Sequence, residues 1–162
     1  MNYLEIPIKS VISKELLAFA ISNQNWQEYY NFKAVQVPNE LLAKDPFLVS
    51  LSERHPFIGG IVQLDPYVCY DWHIDTRRGV GVNLLLNPEI KSHCLFTTAN
   101  GAQFPFQELV YKPETFYLFN TQNKHTVINF DQPRYLFTVE FAADKEQLSF
   151  ETLVQQIKNP AF

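Results

Sequence analysis

Glycine is scarce in this chain, five residues in 162, which excludes glycine-rich repeats and collagen-like segments. Cysteine is scarcer still. Two thiols cannot build a disulfide framework, so a reducing compartment, the cytoplasm, is the expected home. No apolar run approaches the ~18 residues a membrane span needs. The stretch Met1-Asn-Tyr-Leu-Glu-Ile-Pro has neither the basic nor the apolar region of a signal peptide. An excess of positive charge is missing as well. The formal net charge is −4, so the chain carries no strong electrostatic signal for nucleic acid.

Aromatic residues are plentiful at 15%, with 14 Phe and 8 Tyr. That suits a β-rich fold whose interior is filled by large side chains. A chain of this length folds most simply as one domain, residues 1–162, and buries roughly 68–70% of its unfolded surface.

Residues 1–57 read as mixed elements. A short strand and connector lead to Ser13, which can cap a helix over 14–22 with Leu16, Leu17, Ala20 and Ile21 on its apolar side. Residues 32–37 resemble a strand and 40–44 a short helical turn. Asp45-Pro46 opens a helix that His55-Pro56 ends near Arg54. From residue 58 the pattern becomes strands between turn signals, at 58–64, 67–75, 79–87, 93–98, 103–111, 115–120, 124–130 and 134–142. Asn100-Gly101 is a hairpin signal and Asp131-Gln-Pro133 a turn. This strand density over 58–142 predicts a mainly β fold with flanking helices, a jelly-roll or cupin-type barrel. An amphipathic helix over 145–158 follows.

The focus is Tyr67 to Asp75. On a strand, alternation points His73 and Asp75 the same way, so both can reach one metal ion; on a helix they would lie about 200° apart. His125 is the best third ligand. Such a two-histidine, one-carboxylate face suits Fe(II) and leaves positions open. Arg134 opens the last strand, sharing a face with Leu136 and Thr138, and the strands at 124–130 and 134–142 should be antiparallel neighbours across the turn. A guanidinium in a barrel interior calls for a carboxylate, to which Thr138 could add a hydroxyl. The His-x-Asp motif alone is weak; joined to the later His and Arg it is more specific.

These residues resemble the Fe(II)- and 2-oxoglutarate-dependent oxygenases, whose fold is a double-stranded β-helix, and within them prolyl-hydroxylase-like and aspartyl/asparaginyl-hydroxylase-like members. The resemblance covers about half the chain. It rests on Tyr70-Asp-Trp-His-Ile-Asp75, Phe116-Tyr-Leu-Phe-Asn-Thr-Gln-Asn-Lys-His-Thr-Val127, Arg134-Tyr-Leu-Phe-Thr-Val-Glu-Phe141 and Asp144-Lys-Glu146. It implies that His73, Asp75 and His125 hold iron, with no catalytic group beyond the metal centre. It implies further that Arg134 and Thr138 bind the distal carboxylate of 2-oxoglutarate, with Tyr70 nearby. Leu84 stands where prolyl hydroxylases carry a tyrosine, while Arg77, Arg78 and Asn83 resemble the aspartyl/asparaginyl-hydroxylase-like pattern. The implied activity is a hydroxylation consuming 2-oxoglutarate and dioxygen, with a peptide side chain or a small molecule as substrate.

Two other readings compete: a metal-binding cupin enzyme that ignores 2-oxoglutarate, and a non-enzymatic jelly-roll binding module. Several residues have plainer expected roles. Arg77-Arg78 reads as a solvated turn, His55 and His93 as structural, and Cys69 and Cys94 as buried small hydrophobes. Trp72, Tyr117 and Phe119 are candidates for an apolar shell around the metal.

Overall fold

A computed structural model describes residues 1–98 and 105–159; the Asn100-Gly101 hairpin signal lies outside them. In chain order the elements are β1 (Tyr3–Lys9), α1 (Ser13–Ser22), β2 (Gln27–Glu28), β3 (Lys33–Gln36), α2 (Asn39–Leu42), α3 (Pro46–Arg54), β4 (Phe57–Leu64) and β5 (Cys69–His73). There follow β6 (Val80–Leu85), β7 (Ser92–Thr97), β8 (Phe106–Glu108), β9 (Thr115–Asn120), β10 (His125–Asn129), β11 (Arg134–Phe141) and α4 (Phe150–Ile157).

The strands form two antiparallel sheets. The larger runs β1-β9-β6-β11-β4-β3-β2 and the smaller β5-β10-β7-β8. From β4 onward the chain passes back and forth between them, which makes the barrel a double-stranded β-helix. Alternation along the large sheet separates two cores. Val80, Val82, Leu84, Phe116, Leu118, Phe137 and Val139 face the helices and join Leu16, Leu48, Leu51 and Leu153. Leu85, Tyr117, Phe119 and Leu136 face the small sheet and pack with Cys94, Phe96 and Val127.

One expectation about the last two strands is corrected. β10 and β11 are consecutive but not neighbours: β10 pairs with β5 and β7, β11 with β4 and β6. The chain changes sheets at 130–133, and Asn129 pins that corner. Its Nδ2 donates to the carbonyls of Leu64 (3.3 Å), Asp65 (2.9 Å) and Gln132 (2.9 Å).

The helices follow their capping chemistry. Asp45 caps α3, accepting from the amides of Phe47 (3.1 Å) and Leu48 (3.4 Å), with Pro46 in the first turn. Ser13 does not cap α1. That position belongs to Ile12, whose amide donates to Ser10 Oγ (3.2 Å), while the amide of Val11 donates to Asp45 Oδ2 (3.1 Å). Leu16 and Ala20 are buried, but Ile21 is exposed. The C-terminal helix begins at Phe150 rather than 145, because Ser149 Oγ caps it by accepting from the amide of Thr152 (3.1 Å). Upstream, residues 145–148 cross directly over Gly79, where a Cβ would sit 2.5 Å from the Leu148 carbonyl.

Candidate metal centre

His73 ends β5, Asp75 lies two residues beyond it, and His125 begins β10. The two histidines are cross-strand partners in the small sheet. The three side chains each offer a ligand atom, and these atoms all lie within 4.8 Å of one another. No other such group occurs among the described residues. His73 Nε2 is 3.4 Å and His125 Nε2 3.9 Å from the same carboxylate oxygen, Asp75 Oδ1.

Both imidazoles are held from behind. His73 Nδ1 donates to the Asp71 carbonyl (2.7 Å) and His125 Nδ1 to the Asn123 carbonyl (2.8 Å). That places a proton on Nδ1 and turns Nε2 toward Asp75 in each ring, the outer-shell arrangement of metal-ligating histidines. Phe119 and Phe96 wall His125, with ring centroids 4.8 and 5.7 Å away. Burial, chiefly, pushes the His125 pKa down to about 4, so its ring is neutral at pH 7. Burial also opposes charge on His73, but the hydrogen bonds to Asp75 and the Asp71 carbonyl leave its pKa above the ordinary value. For Asp75 burial alone would raise the pKa. The His73 hydrogen bond and the Arg78 charge outweigh it and hold the carboxyl below its usual range.

Arg78 departs from the expected solvated turn. Only its neighbour Arg77 is exposed; Arg78 turns inward and grips the far side of Asp75. Cys69 is also exposed rather than buried, whereas Cys94 is buried.

Tyr70 reaches the site through an irregularity that sequence alternation does not predict. The β5–β10 register shifts between the His73 and Tyr70 pairings, so residues three apart share a face. The Tyr70 ring stands edge-on to His73 at 4.3 Å and to Phe32 at 5.3 Å. Trp72 instead stacks on exposed Phe106 at 5.6 Å, and Tyr117 packs on Tyr3 and Tyr111. Of the three expected shell aromatics, only Phe119 lines His125.

Arg134 is 3% exposed, on the inner face of β11. Its Nε donates to Ser92 Oγ (3.1 Å), but its Nη2 is buried without a hydrogen-bond partner. The Tyr111 hydroxyl is a second buried group without one, and Arg134 Cζ lies 5.8 Å from that ring's centroid. Burial, then the neighbouring Cys94, raise the phenol pKa well above normal, so Tyr111 keeps its proton. Sequence reasoning missed Tyr111. It follows β8 at the end of a short edge strand, where no periodicity marks its direction. Thr138 and Asn83 pair across β11 and β6, the Thr138 hydroxyl donating to Asn83 Oδ1 (2.7 Å). A surface groove of about 500 Å³ beside Tyr67, Ile90, His93 and Phe130 includes none of the three clustered ligand residues.

No protein-family model matches the chain, and no curated protein matches it in sequence. Solved structures do match in fold. A prolyl-4-hydroxylase from Pseudomonas putida superposes with a TM-score of 0.65 at 14% identity, covering 88% of this chain and 92% of its own. A prolyl hydroxylase from Trichoplax adhaerens, in complex with a hypoxia-inducible-factor peptide fragment, gives 0.63 at 16%, covering 93% and 85%. HygX from Streptomyces hygroscopicus, with nickel, 2-oxoglutarate and hygromycin B bound, gives 0.59 at 13%, covering 88% and 83%. The chain therefore has the fold of the 2-oxoglutarate–Fe(II) oxygenases.

Proposed function

We propose that the whole chain is one oxygenase domain, a non-haem Fe(II)- and 2-oxoglutarate-dependent dioxygenase that hydroxylates a peptide side chain or a small molecule. One observation carries this reading. Two imidazole Nε2 atoms and a carboxylate oxygen converge between the sheets, and the same interior holds a buried guanidinium and a phenol hydroxyl with no partner. Buried polar groups without partners are rare, and two donors near each other suit a carboxylate.

The donor set fits the metal. Two imidazoles and one carboxylate on one face suit Fe(II) and leave positions for cosubstrate and dioxygen. His73, Asp75 and His125 would hold the ion; Arg134 and Tyr111 would hold the distal carboxylate of 2-oxoglutarate, with Thr138 and Asn83 on the adjoining inner face. When bound, the iron and its cosubstrate supply oxidative decarboxylation coupled to C–H hydroxylation, with succinate as coproduct.

The chain's own residues orient and exclude. The Asp71 and Asn123 carbonyls keep both imidazoles in the ligating tautomer. Arg134, permanently charged, neutralises a dicarboxylate inside an apolar wall and fixes its direction. Phe96, Phe119 and Leu136 keep water from that interior. Tyr70, beside His73 and half-buried, lies where a substrate would approach. The similar folds in complex with a peptide fragment and with hygromycin B bound support either substrate class. Two unpaired thiols suit the cytoplasm, and no helix among the described residues is long and apolar enough to cross a membrane.

Thermal unfolding with Mn(II), with and without 2-oxoglutarate, tests the reading, because a ligand that binds only the native state raises the melting temperature. Each addition is expected to raise it. His125→Ala should lose the metal increment and Arg134→Ala only the 2-oxoglutarate increment. Metal stabilisation without any 2-oxoglutarate effect would replace the reading with that of another cupin enzyme, and neither effect would leave a binding module.

A further inference from the structure

Asp75 is gripped on one side only. Arg78 Nε donates to Asp75 Oδ2 at 2.7 Å, and Arg78 Nη2 lies 2.6 Å from that same oxygen. The other oxygen, Oδ1, is the one that faces His73 and His125. The carboxylate is thus divided into a held oxygen and an oxygen turned toward the cluster. A carboxylate with both oxygens available can chelate a metal through both and occupy two positions; one with an oxygen saturated by a guanidinium fork offers a single donor.

The arginine is itself fixed. Its carbonyl accepts from Thr121 Oγ1 (2.6 Å) and Gln122 Nε2 (2.7 Å), and Gln122 Nε2 also donates to the Asp75 carbonyl (2.8 Å). The amide of Asp75 donates to the Thr121 carbonyl (3.0 Å). The 75–78 turn is therefore tied to residues 121–122, just ahead of His125. Its third nitrogen, Nη1, donates to Thr138 Oγ1 (3.3 Å), whose hydroxyl donates onward to Asn83 Oδ1 (2.7 Å). A continuous path runs from the cluster's carboxylate to the inner face of the large sheet, where Arg134 begins the same strand as Thr138.

We propose that Arg78 is a positioning residue that keeps Asp75 a one-oxygen ligand, so that one coordination position stays open for cosubstrate or dioxygen. The proposal rests on the metal-centre reading above. Lysine cannot replace it, because an ammonium supplies the charge but not the two-pronged contact.

Co(II) is the probe, since its visible absorption reports coordination number without turnover. The full chain is titrated with Co(II) as wild type, Arg78→Gln, Arg78→Lys and His125→Ala, with apo melting temperatures measured alongside. Expected is a Co(II) spectrum that changes shape in Arg78→Gln, with affinity about tenfold weaker, the scale of lost outer-shell support. Arg78→Lys should recover affinity but not the wild-type spectrum. A purely structural arginine would lower the apo melting temperature and leave the Co(II) spectrum as in wild type; that result overturns the proposal. If Arg78→Gln does not fold, Arg78→Lys decides alone: a wild-type spectrum there overturns it and an altered one upholds it. Wild type that binds Co(II) no better than His125→Ala overturns both the proposal and the metal-centre reading, whereas unchanged Arg78 variants in a Co(II)-binding wild type overturn the proposal only.

Discussion

The two faces of the large sheet share strands but not chemistry. On the helix side, β6, β9 and β11 present Val82, Leu84, Phe116, Leu118, Phe137 and Val139, all apolar and buried. On the side facing the small sheet the same strands present Asn83, Thr138 and Arg134 among Leu85, Tyr117, Phe119 and Leu136, and there Arg134 Nη2 and the Tyr111 hydroxyl are buried without partners. Period-two alternation makes this separation possible, since a strand can stabilise with one face and bind with the other. The outer face should therefore set folding stability and the inner face ligand response, with little exchange between them.

The hardest test of that division is a cavity on the outer face. Phe137→Ala is expected to cost about 3–5 kcal/mol of unfolding free energy, read by urea denaturation. The mirror experiment on the inner face is Arg134→Met. Because it removes a buried charge with an unpaired nitrogen, the apo protein should melt no lower than wild type, yet lose its 2-oxoglutarate response entirely. A large drop in apo stability would mean the guanidinium is a structural part of the core.

Acid sharpens the comparison on the small-sheet side. His125 has a native pKa near 4 against about 6.5 unfolded, so the unfolded chain binds the extra proton between those values. Apo stability should fall as pH drops from 6.5 toward 4, by at most about 3–4 kcal/mol at 1.36 kcal/mol per unit. The raised pKa of His73 acts at and above its unfolded value, and the lowered pKa of Asp75 acts below the carboxylate range, so neither creates that slope. His125→Gln should flatten it in equilibrium unfolding. The smallest effect belongs to Tyr111→Phe. It deletes an unpartnered hydroxyl, so apo stability should stay within about 1 kcal/mol, while 2-oxoglutarate affinity by calorimetry weakens about tenfold, roughly one hydrogen bond to a charged group.

Much of this division was legible in the residues themselves. His73 and Asp75 declared a shared direction through their spacing, and Arg134, Leu136 and Thr138 through alternation. Local signals run out where two strands must be known together. The register shift that brings Tyr70 onto the His73 face is a property of the β5–β10 pair. The change of sheet after β10 depends on Asn129 finding three carbonyls from other segments and its own turn. Adjacent Arg77 and Arg78 look alike in sequence; only the folded turn decides which of them meets Asp75. Ser13 looks like a cap by composition, but Asp45 and Ser10 hold the amides of Val11 and Ile12 just ahead of it, and the helix already begins at Ser13.

A crystal grown with Mn(II) and 2-oxoglutarate, measured at the manganese absorption edge, addresses the central claim most directly. One strong anomalous peak is expected, bonded to His73 Nε2, Asp75 Oδ1 and His125 Nε2, with the distal carboxylate of 2-oxoglutarate on Arg134 and Tyr111. A peak elsewhere, or a 2-oxoglutarate that leaves Arg134 untouched, would contradict it.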